Sequence, residues 1–418
     1  RPPLRLRGAR SQPAPMASAS GSALAAPTTV RTSVHFTPLR GSSGGAAPSG
    51  LLEVDGLTLL LDCGWEPPFD VSVLEPLRGV AARVDAVLLS HGDLAHAGGL
   101  AYAFARLGLS CPVYATLPVS RLSKLALYDA HEGVAEQSAA GAPFTLDEID
   151  AALSRVSELK YSQTVLLSGR AAGLSLTPLP AGGSLGGAMW RVSKALEEVL
   201  FLPRFSHQKE RLLAAAALEE LPRPTLLLAD IGAARANPLP RKAREARLGE
   251  LLAHHLARGG DVLVPVDTCF RVLELCLVLE AMWAADRKMQ RYGLVLLSHV
   301  ASATVHLAAS QLEWMGAQVT AAFDAKRTNP FAFRHVQVAT SLEQALDRPS
   351  PKVVLASAAD ASHGFAARLL PAVCAAPNAL LLFTAPPRPG TIGASLLASP
   401  MPQSVSLKTR ERVPLEPA

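Results

Sequence analysis

The stretch "SHGDLAHAGG", residues 90–99, places His91 and His96 on either side of Asp93. It follows directly on "VDAVLLS" (84–90), a short apolar run suited to a strand buried on both faces. Imidazoles and carboxylates at i, i+2 and i+5 of a loop leaving a strand end can converge on one point, as a zinc-dependent hydrolase requires. The position at i+4 is Ala95, which has no donor. The loop therefore poses two readings, a metal site or the remnant of one.

The rest of the chain frames that loop. With 418 residues, 49% hydrophobic and 18% charged, the chain is long enough for two or three domains. No apolar run reaches the roughly 18–20 residues of a membrane span. The longest, "VLELCLVLEAMW" (272–283), is broken by glutamates and reads as a buried helix. The five cysteines (Cys63, Cys111, Cys269, Cys276, Cys374) form no CxxC pair, which argues for reduced core thiols and against a cysteine zinc site.

The net charge of +5 is unevenly placed. Residues 1–52 hold six arginines and neither lysine nor acid, which leaves 34 basic against 35 acidic residues over the remainder. The basic balance belongs to the N-terminal stretch and is no argument that the folded body binds nucleic acid. Residues 1–29, rich in Pro, Ser, Ala and Arg, read as a disordered leader. A start at Met16 and an organelle transit peptide are the two expectations for it.

Strand and helix patterns interleave from Val34 onward. "LLEVDGLTLLLDCG" (51–64) reads as a hairpin turning at Asp55-Gly56. A helix is expected over 98–108, a strand over 111–116, and a helix capped by Thr145 with Glu148 three residues on. Residues 173–192 read as strand, glycine-rich turn, strand. Beyond residue 208, apolar strands at 223–231, 259–267, 292–300, 350–360 and 378–387 alternate with helices such as 270–285, the pattern of a mostly parallel α/β unit. The sequence contains neither GxSxG nor a P-loop.

The loop at 91–96 resembles the H-x-H-x-D-H ligand loop of the metallo-β-lactamase superfamily. His91 and His96 match its first and last histidines, Asp93 stands at the second histidine and Ala95 at the aspartate. "LLLDCGW" (59–65) resembles the strand before it, with Asp62 as the structural acid. "PLPAGGSLGGAMW" (178–190) resembles the next ligand segment, with Gly183 at the histidine, and "FLPRFSHQKE" (201–210) the segment of the bridging aspartate, with Arg204 in its place. Of six ligand positions two keep histidine, one carries a substitute carboxylate and three cannot ligate. A guanidinium stays charged at ordinary pH. At about 4 Å from a divalent ion, with an effective dielectric near 20, it would be repelled by roughly 8 kcal/mol. The resemblance therefore implies a degenerate site in which Arg204 replaces the metal's charge and pairs with Asp62 or Asp93.

The second unit resembles the β-CASP domain of RNA-processing nucleases. "YATLPV", "FTLDEIDAA", "RPTLLLADI", "VDTCFRVLEL", "AKRTNPFAFRH" and "SPKVVLAS" together resemble one family within that group, the catalytically inactive hundred-kilodalton subunit of the cleavage and polyadenylation specificity factor. The resemblance spans about residues 32–415. It implies an α/β chain with a metallo-β-lactamase-like αββα sandwich over 30–208, an inserted β-CASP-like parallel domain over 209–395, and a return segment over 396–418. It also implies a non-catalytic, nuclear partner of the active endonuclease and scaffold subunits in pre-mRNA 3′-end formation, with pre-mRNA as a further ligand, no membrane and no cofactor. Asp230 stands at the first acidic β-CASP motif, or caps the turn that follows. The family's later histidine motifs would fall beyond residue 418. The rival reading is an active hydrolase or ribonuclease holding one zinc through His91, Asp93 and His96.

Two basic clusters remain. "PLPRKAREARL" (238–248) carries Arg241, Lys242, Arg244 and Arg247, either a contact for phosphate or an acidic partner or a solvated helix face. "AKRTNPFAFRH" (325–335) sets Lys326, Arg327 and Arg334 around Phe331 and Phe333, either a stacking surface for single-stranded RNA or a loop whose rings pack inward.

Overall fold

The computed structural model describes residues 32–41, 48–138, 141–230 and 239–398. The expected leader and residues 399–418 of the expected return segment lie outside the described residues. Among those described, no helix is long and apolar enough to cross a membrane.

The chain opens with β1 (Val34–Arg40), β2 (Ser49–Val54) and β3 (Leu57–Leu61). The β2–β3 turn is the expected Asp55-Gly56 pair, both at positive φ (49° and 76°), as a two-residue hairpin requires. Then come α1 (Glu75–Arg78), β4 (Ala86–Leu88), α2 (Leu94–Ala97), α3 (Leu100–Arg106), β5 (Val113–Thr116), α4 (Leu117–Ala135), α5 (Leu146–Leu153) and β6 (Val156–Leu159). The α5 helix starts in the predicted capping box, Thr145 and Glu148 each bonding the other's backbone. The six strands form one sheet in the order β1 to β6, parallel from β3 onward. A second sheet joins β7 (Val165–Leu166), β8 (Leu174–Pro180), β9 (Ala188–Lys194), β10 (Glu197–Leu202) and β11 (Leu226–Ala229).

Alternation along the strands explains why both sheets read as apolar. In β3, Leu59 and Leu61 pack across the sandwich against Leu174, Leu176, Trp190 and Val192, while Leu60 faces Leu100, Val119 and Leu127 in the helical layer. Each fully buried leucine contributes roughly 1.5–3 kcal/mol. The Trp190 indole N–H donates to Leu89 O at 3.1 Å, tying the second sheet to the end of β4. The outer face of the second sheet is covered, among the described residues, by the irregular segment around Phe205, Ala216, Leu218 and Leu221, with no α-helix.

One strand departs from the sequence reading. Residues 226–229 were expected to open the second unit. Instead β11 pairs in parallel with β10, Val199 opposite Leu226 through Leu202 opposite Ala229. An apolar run names a strand but not its neighbour, so periodicity could not place it.

The remaining chain alternates helix and strand: α6 (Arg241–Ala257), β12 (Val262–Val266), α7 (Arg271–Ala285), β13 (Gly293–Leu297), α8 (Ala301–Ser310), α9 (Ala317–Lys326), β14 (Val336–Ala339), α10 (Leu342–Leu346), β15 (Lys352–Ser357), α11 (Gly364–Ala375), β16 (Leu380–Leu381) and α12 (Ile392–Leu396). The sheet order is β14-β13-β15-β12-β16 and every pairing is parallel. In a doubly wound sheet, strands end on the loops that meet ligands or other domains. Here those ends meet α4 of the first unit.

The joint is built on Asp129, buried in α4. Its carboxylate accepts hydrogen bonds from Thr268 Oγ1 (2.7 Å), Ser298 Oγ (2.9 Å), His299 N (3.0 Å) and His299 Nδ1 (3.0 Å). These donors sit in the loops after β12 and β13. Nearby, Gly133 of α4 meets Gly364, whose Cα would lie 3.0 Å from any added Cβ. Arg368 of α11 pairs with Glu136 at 3.0 Å.

Burial opposes the Asp129 charge, but hydrogen bonds from His299 and Thr268 overcome it and hold the carboxyl below its ordinary range. Burial would also lower His299, yet the Asp129 hydrogen bond and charge, with help from Glu136, raise it. Asp129→Ala is expected to cost about 3–5 kcal/mol of unfolding free energy in urea, because these donors and Ser357 Oγ (3.4 Å) lose a buried acceptor. The His299 contribution is fully present below about pH 6.5 and is lost as pH rises through the raised folded value. The stability gap between the native chain and His299→Gln should therefore shrink as pH rises above about 6.5 and through the raised folded value. A gap that is constant with pH would show that the imidazolium contributes nothing to the joint.

Candidate functional site: a degenerate metal loop under an arginine

The residues after β4 reach the site because the backbone there is stapled down. Asp62 N–H donates to Leu88 O (2.9 Å), Cys63 N–H to His96 O (2.8 Å) and Trp65 N–H to Leu94 O (3.0 Å). A Cβ on Gly98 would lie 1.9 Å from Trp65 O, so only glycine allows α2 to approach this closely. The loop 90–93 and α2 are thereby fixed over the end of β3.

Asp62 is wholly buried and sits in the left-handed region at φ 57°. Its Oδ1 accepts Ser90 N–H and its Oδ2 accepts Ser90 Oγ–H, each at 2.7 Å. With that hydroxyl proton spent, Ser90 Oγ can only accept from His91 Nδ1, at 2.9 Å. This fixes the His91 tautomer and leaves Nε2 as a bare, buried acceptor with no hydrogen-bond partner. Burial holds His91 neutral, far below the usual imidazole range, and the neighbouring His96 adds to the effect. Burial pushes the Asp62 carboxyl up to about 6.

His96 lies beside His91, ring centroids 4.7 Å apart. Its Nδ1–H donates to Asp93 Oδ1, and Arg204 Nη1 donates to Asp93 Oδ2 at 3.2 Å. The guanidinium stacks 3.9 Å over the Phe270 ring, and its side chain remains 43% exposed. Burial opposes ionisation of Asp93, but the charge and hydrogen bond of His96, together with Arg204, hold its carboxyl far below the usual range. Burial would lower His96, while the charge and hydrogen bond of Asp93 raise it.

Of the partners expected for Arg204, the structure selects Asp93 and not Asp62, which is committed to Ser90. Gly183 lies in the β8–β9 turn at φ 72°, and Ala95 lines the cleft between the two units. A zinc ion needs three protein donors and an open position. Here both Asp93 oxygens are engaged, by His96 and by Arg204, and the Arg204 guanidinium places a fixed positive charge beside the loop. Among the described residues no group of three His, Cys, Asp or Glu side chains is arranged to hold a metal ion. This donor set, with a guanidinium against Asp93, does not fit a zinc centre.

The same cleft, of about 260 Å³, holds groups that the sequence pattern did not single out. Asp267 accepts the backbone N–H groups of Cys269 (3.1 Å), Phe270 and Arg271 (2.9 Å), starting α7 and setting Phe270 beneath Arg204. Arg388 bridges the units by pairing with Asp360 and with Glu66 at 3.3 Å. His363 is partly buried at the N-cap of α11, 4.0 Å from Asp360, and makes no ligand set. Asp267 precedes an apolar helical run, so a capping search could have found it. The contacts of Arg388 with Asp360 and Glu66 are long-range and leave no local signal.

Outside the cleft, Asp230 follows β11 and donates its N–H to Leu202 O at 3.1 Å. Arg241, Lys242, Arg244 and Arg247 are exposed on α6, with Arg241 3.6 Å from Glu245 and Arg247 3.4 Å from Glu250. Of the two readings of residues 325–335, the rings pack inward. Phe331 is only 4% exposed, and Phe333 packs edge-on against it at 5.8 Å and into the same core. Arg327 caps α9 in the left-handed conformation and the Arg334 N–H bonds Glu280, so the loop is held by its own backbone. The Lys326 side chain lies outside the described residues.

Comparison with known proteins yields matches over both units. Residues 51–228 match the metallo-beta-lactamase superfamily domain and residues 272–396 the Beta-Casp domain. The chain is 42% identical over 388 residues to a protein of Arabidopsis thaliana named cleavage and polyadenylation specificity factor subunit 2, covering 92% of this chain and 52% of that one. It is 37% identical to the probable subunit 2 of Drosophila melanogaster, covering 92% and 51%. The chain thus spans about half the length of these curated relatives. Among solved structures, a subclass B3 metallo-β-lactamase from a soil metagenome library matches 40% of this chain and 59% of its own, at 17% identity and a TM-score of 0.28.

Removing Arg204 tests the site's electrostatics directly. The guanidinium depresses Asp93, His91 and His96 together. In Arg204→Ala, imidazole titration by NMR should place His96 higher than in the native chain, and the Asp93 carboxyl should also move up. Unchanged titration would mean that the guanidinium is not held against Asp93 in solution.

Proposed function

The chain belongs to the metallo-β-lactamase superfamily, in the branch that carries a Beta-Casp domain and alongside the subunit 2 relatives, and from that premise we propose that it is a non-catalytic subunit of the nuclear pre-mRNA 3′-end cleavage and polyadenylation machinery. In this role it binds the active endonuclease subunit and the scaffold subunits, holds no zinc, and contributes structure in place of chemistry. The names of its relatives support the pathway.

One observation carries the non-catalytic reading: Arg204 bonded to Asp93 at 3.2 Å, where a metal-dependent enzyme would set an ion. A divalent cation about 4 Å from that guanidinium would face repulsion of roughly 8 kcal/mol at an effective dielectric near 20. The cleft around it is lined by five carboxylate side chains and three arginines. Most of these carboxylates are matched by cations or N–H donors within the fold, so the cleft offers no excess positive charge to a phosphate backbone.

The rival, a single-zinc ribonuclease using His91, Asp93 and His96, predicts chelator-sensitive RNA cleavage and at least one zinc per chain. The purified chain is instead expected to hold zinc substoichiometrically by elemental analysis and to leave single-stranded RNA intact. Arg204→Asp should raise zinc affinity at least about tenfold, since it exchanges a repulsive charge for a ligand. Stable co-purification with the endonuclease subunit tests the architectural role. Cleavage of RNA that a chelator abolishes would overturn it.

A further inference from the structure

A second cavity, of about 360 Å³, lies between α6 and α7 and shares Arg271 and Thr384 with the edge of the first cleft. That volume falls in the range of about 300–1,000 Å³ typical of binding pockets. Its floor is aliphatic: Leu248 and Leu251 from α6, Leu275 and Val278 from α7, with Leu382 and Phe383 beyond β16. On α6, positions 241, 244, 248 and 251 share one face, and on α7 so do 271, 275 and 278. Each helix therefore presents arginine at its N-terminal end and aliphatic side chains further along the same groove. Leu239, at the rim, is 60% exposed.

The charges on the walls are asymmetric. Glu245 is paired with Arg211 at 2.6 Å, and Glu274 accepts the backbone N–H groups of Arg211 (2.8 Å) and Leu212 (2.9 Å). These two acids are spent within the fold, and Glu210 is the one other on the wall. Lys209, Arg244 and Arg271 are exposed and make no ion pair among the described residues. An occupant must offer apolar side chains to the floor and negative charge to the rim.

We propose that this groove docks an acidic, leucine-bearing helical segment of a partner protein. The mode is helix-in-groove: aliphatic side chains at i, i+3, i+4 and i+7 fill the floor, and intervening carboxylates meet Lys209, Arg244 and Arg271. RNA fits less well, because base stacking needs aromatic platforms and the floor has one ring, Phe383. The inference does not rest on the 3′-end assignment and can fail without it.

The test uses the full chain and a fluorescein-labelled synthetic peptide with leucine at i, i+3, i+4 and i+7 and glutamate between, read by anisotropy. The acidic peptide should bind saturably and more weakly as salt rises. A lysine-for-glutamate analogue and an oligouridylate should not compete. The Arg244→Glu/Arg271→Glu double variant changes only exposed side chains and should keep the native melting temperature while weakening the peptide at least about tenfold. Leu239→Ser should weaken it about threefold, a partial loss of buried apolar contact. Absence of saturable binding, equal binding of the lysine analogue, competition by oligouridylate, or indifference to the double variant would each overturn the proposal.

Discussion

Two units can share a cleft only if something fixes their angle, and here a buried carboxylate sits at the centre of the contacts that do so. Asp129 sits in the longest helix of the first unit, and its hydrogen-bond donors come from the loops at the strand ends of the second. A buried carboxylate without partners would be too costly to retain, so the loops after β12 and β13 must meet α4. From that contact the rest of the cleft follows. The loop after β12 also carries Asp267 and Phe270, and Cys269 Sγ reaches Gly92 O at 3.3 Å, in the middle of the degenerate loop. The ring under Arg204 thus belongs to the second unit and the carboxylate facing the guanidinium to the first.

That arrangement gives Asp93 its character. A carboxylate in this position of a metal loop could serve as a ligand, but its two oxygens face a histidine on one side and an arginine on the other. The outer face of the pair is open to solvent through Arg204, so its value lies in local charge balance more than in stability. The inner face is dry and organised by the Asp62–Ser90–His91 chain of hydrogen bonds. The loop backbone is therefore rigid while its charges satisfy one another. On the proposed reading, selection has kept the scaffold and released the chemistry.

The two cavities differ in kind for the same reason. The cleft at the joint is rich in carboxylates that the joint itself consumes, as with Asp129, Asp267 and Asp360. The groove between α6 and α7 is walled on one side by residues 208–210; two of its acids, Glu245 and Glu274, are engaged by residues 211 and 212, and several cations are left facing solvent. A chain with almost no net charge over its folded body can in this way present surfaces of opposite preference.

The sequence by itself determined the elements: the Asp55-Gly56 hairpin, the Thr145 capping box, the buried leucine strands and the alternating helices and strands of the second unit are local patterns, and each forms where its period and turn residues dictate. It also showed alanine, glycine and arginine, none of them a metal ligand, at three positions where the resemblance expects one. Only the tertiary structure decided the partners. It moved the strand at 226–229 into the second sheet and turned Phe331 and Phe333 inward. It chose Asp93 over Asp62 for Arg204, and it brought Asp129 to Thr268, Ser298 and His299. Periodicity is a property of neighbours along the chain, whereas a hydrogen bond between residues 129 and 299 depends on how three sheets pack, and no local signal records that.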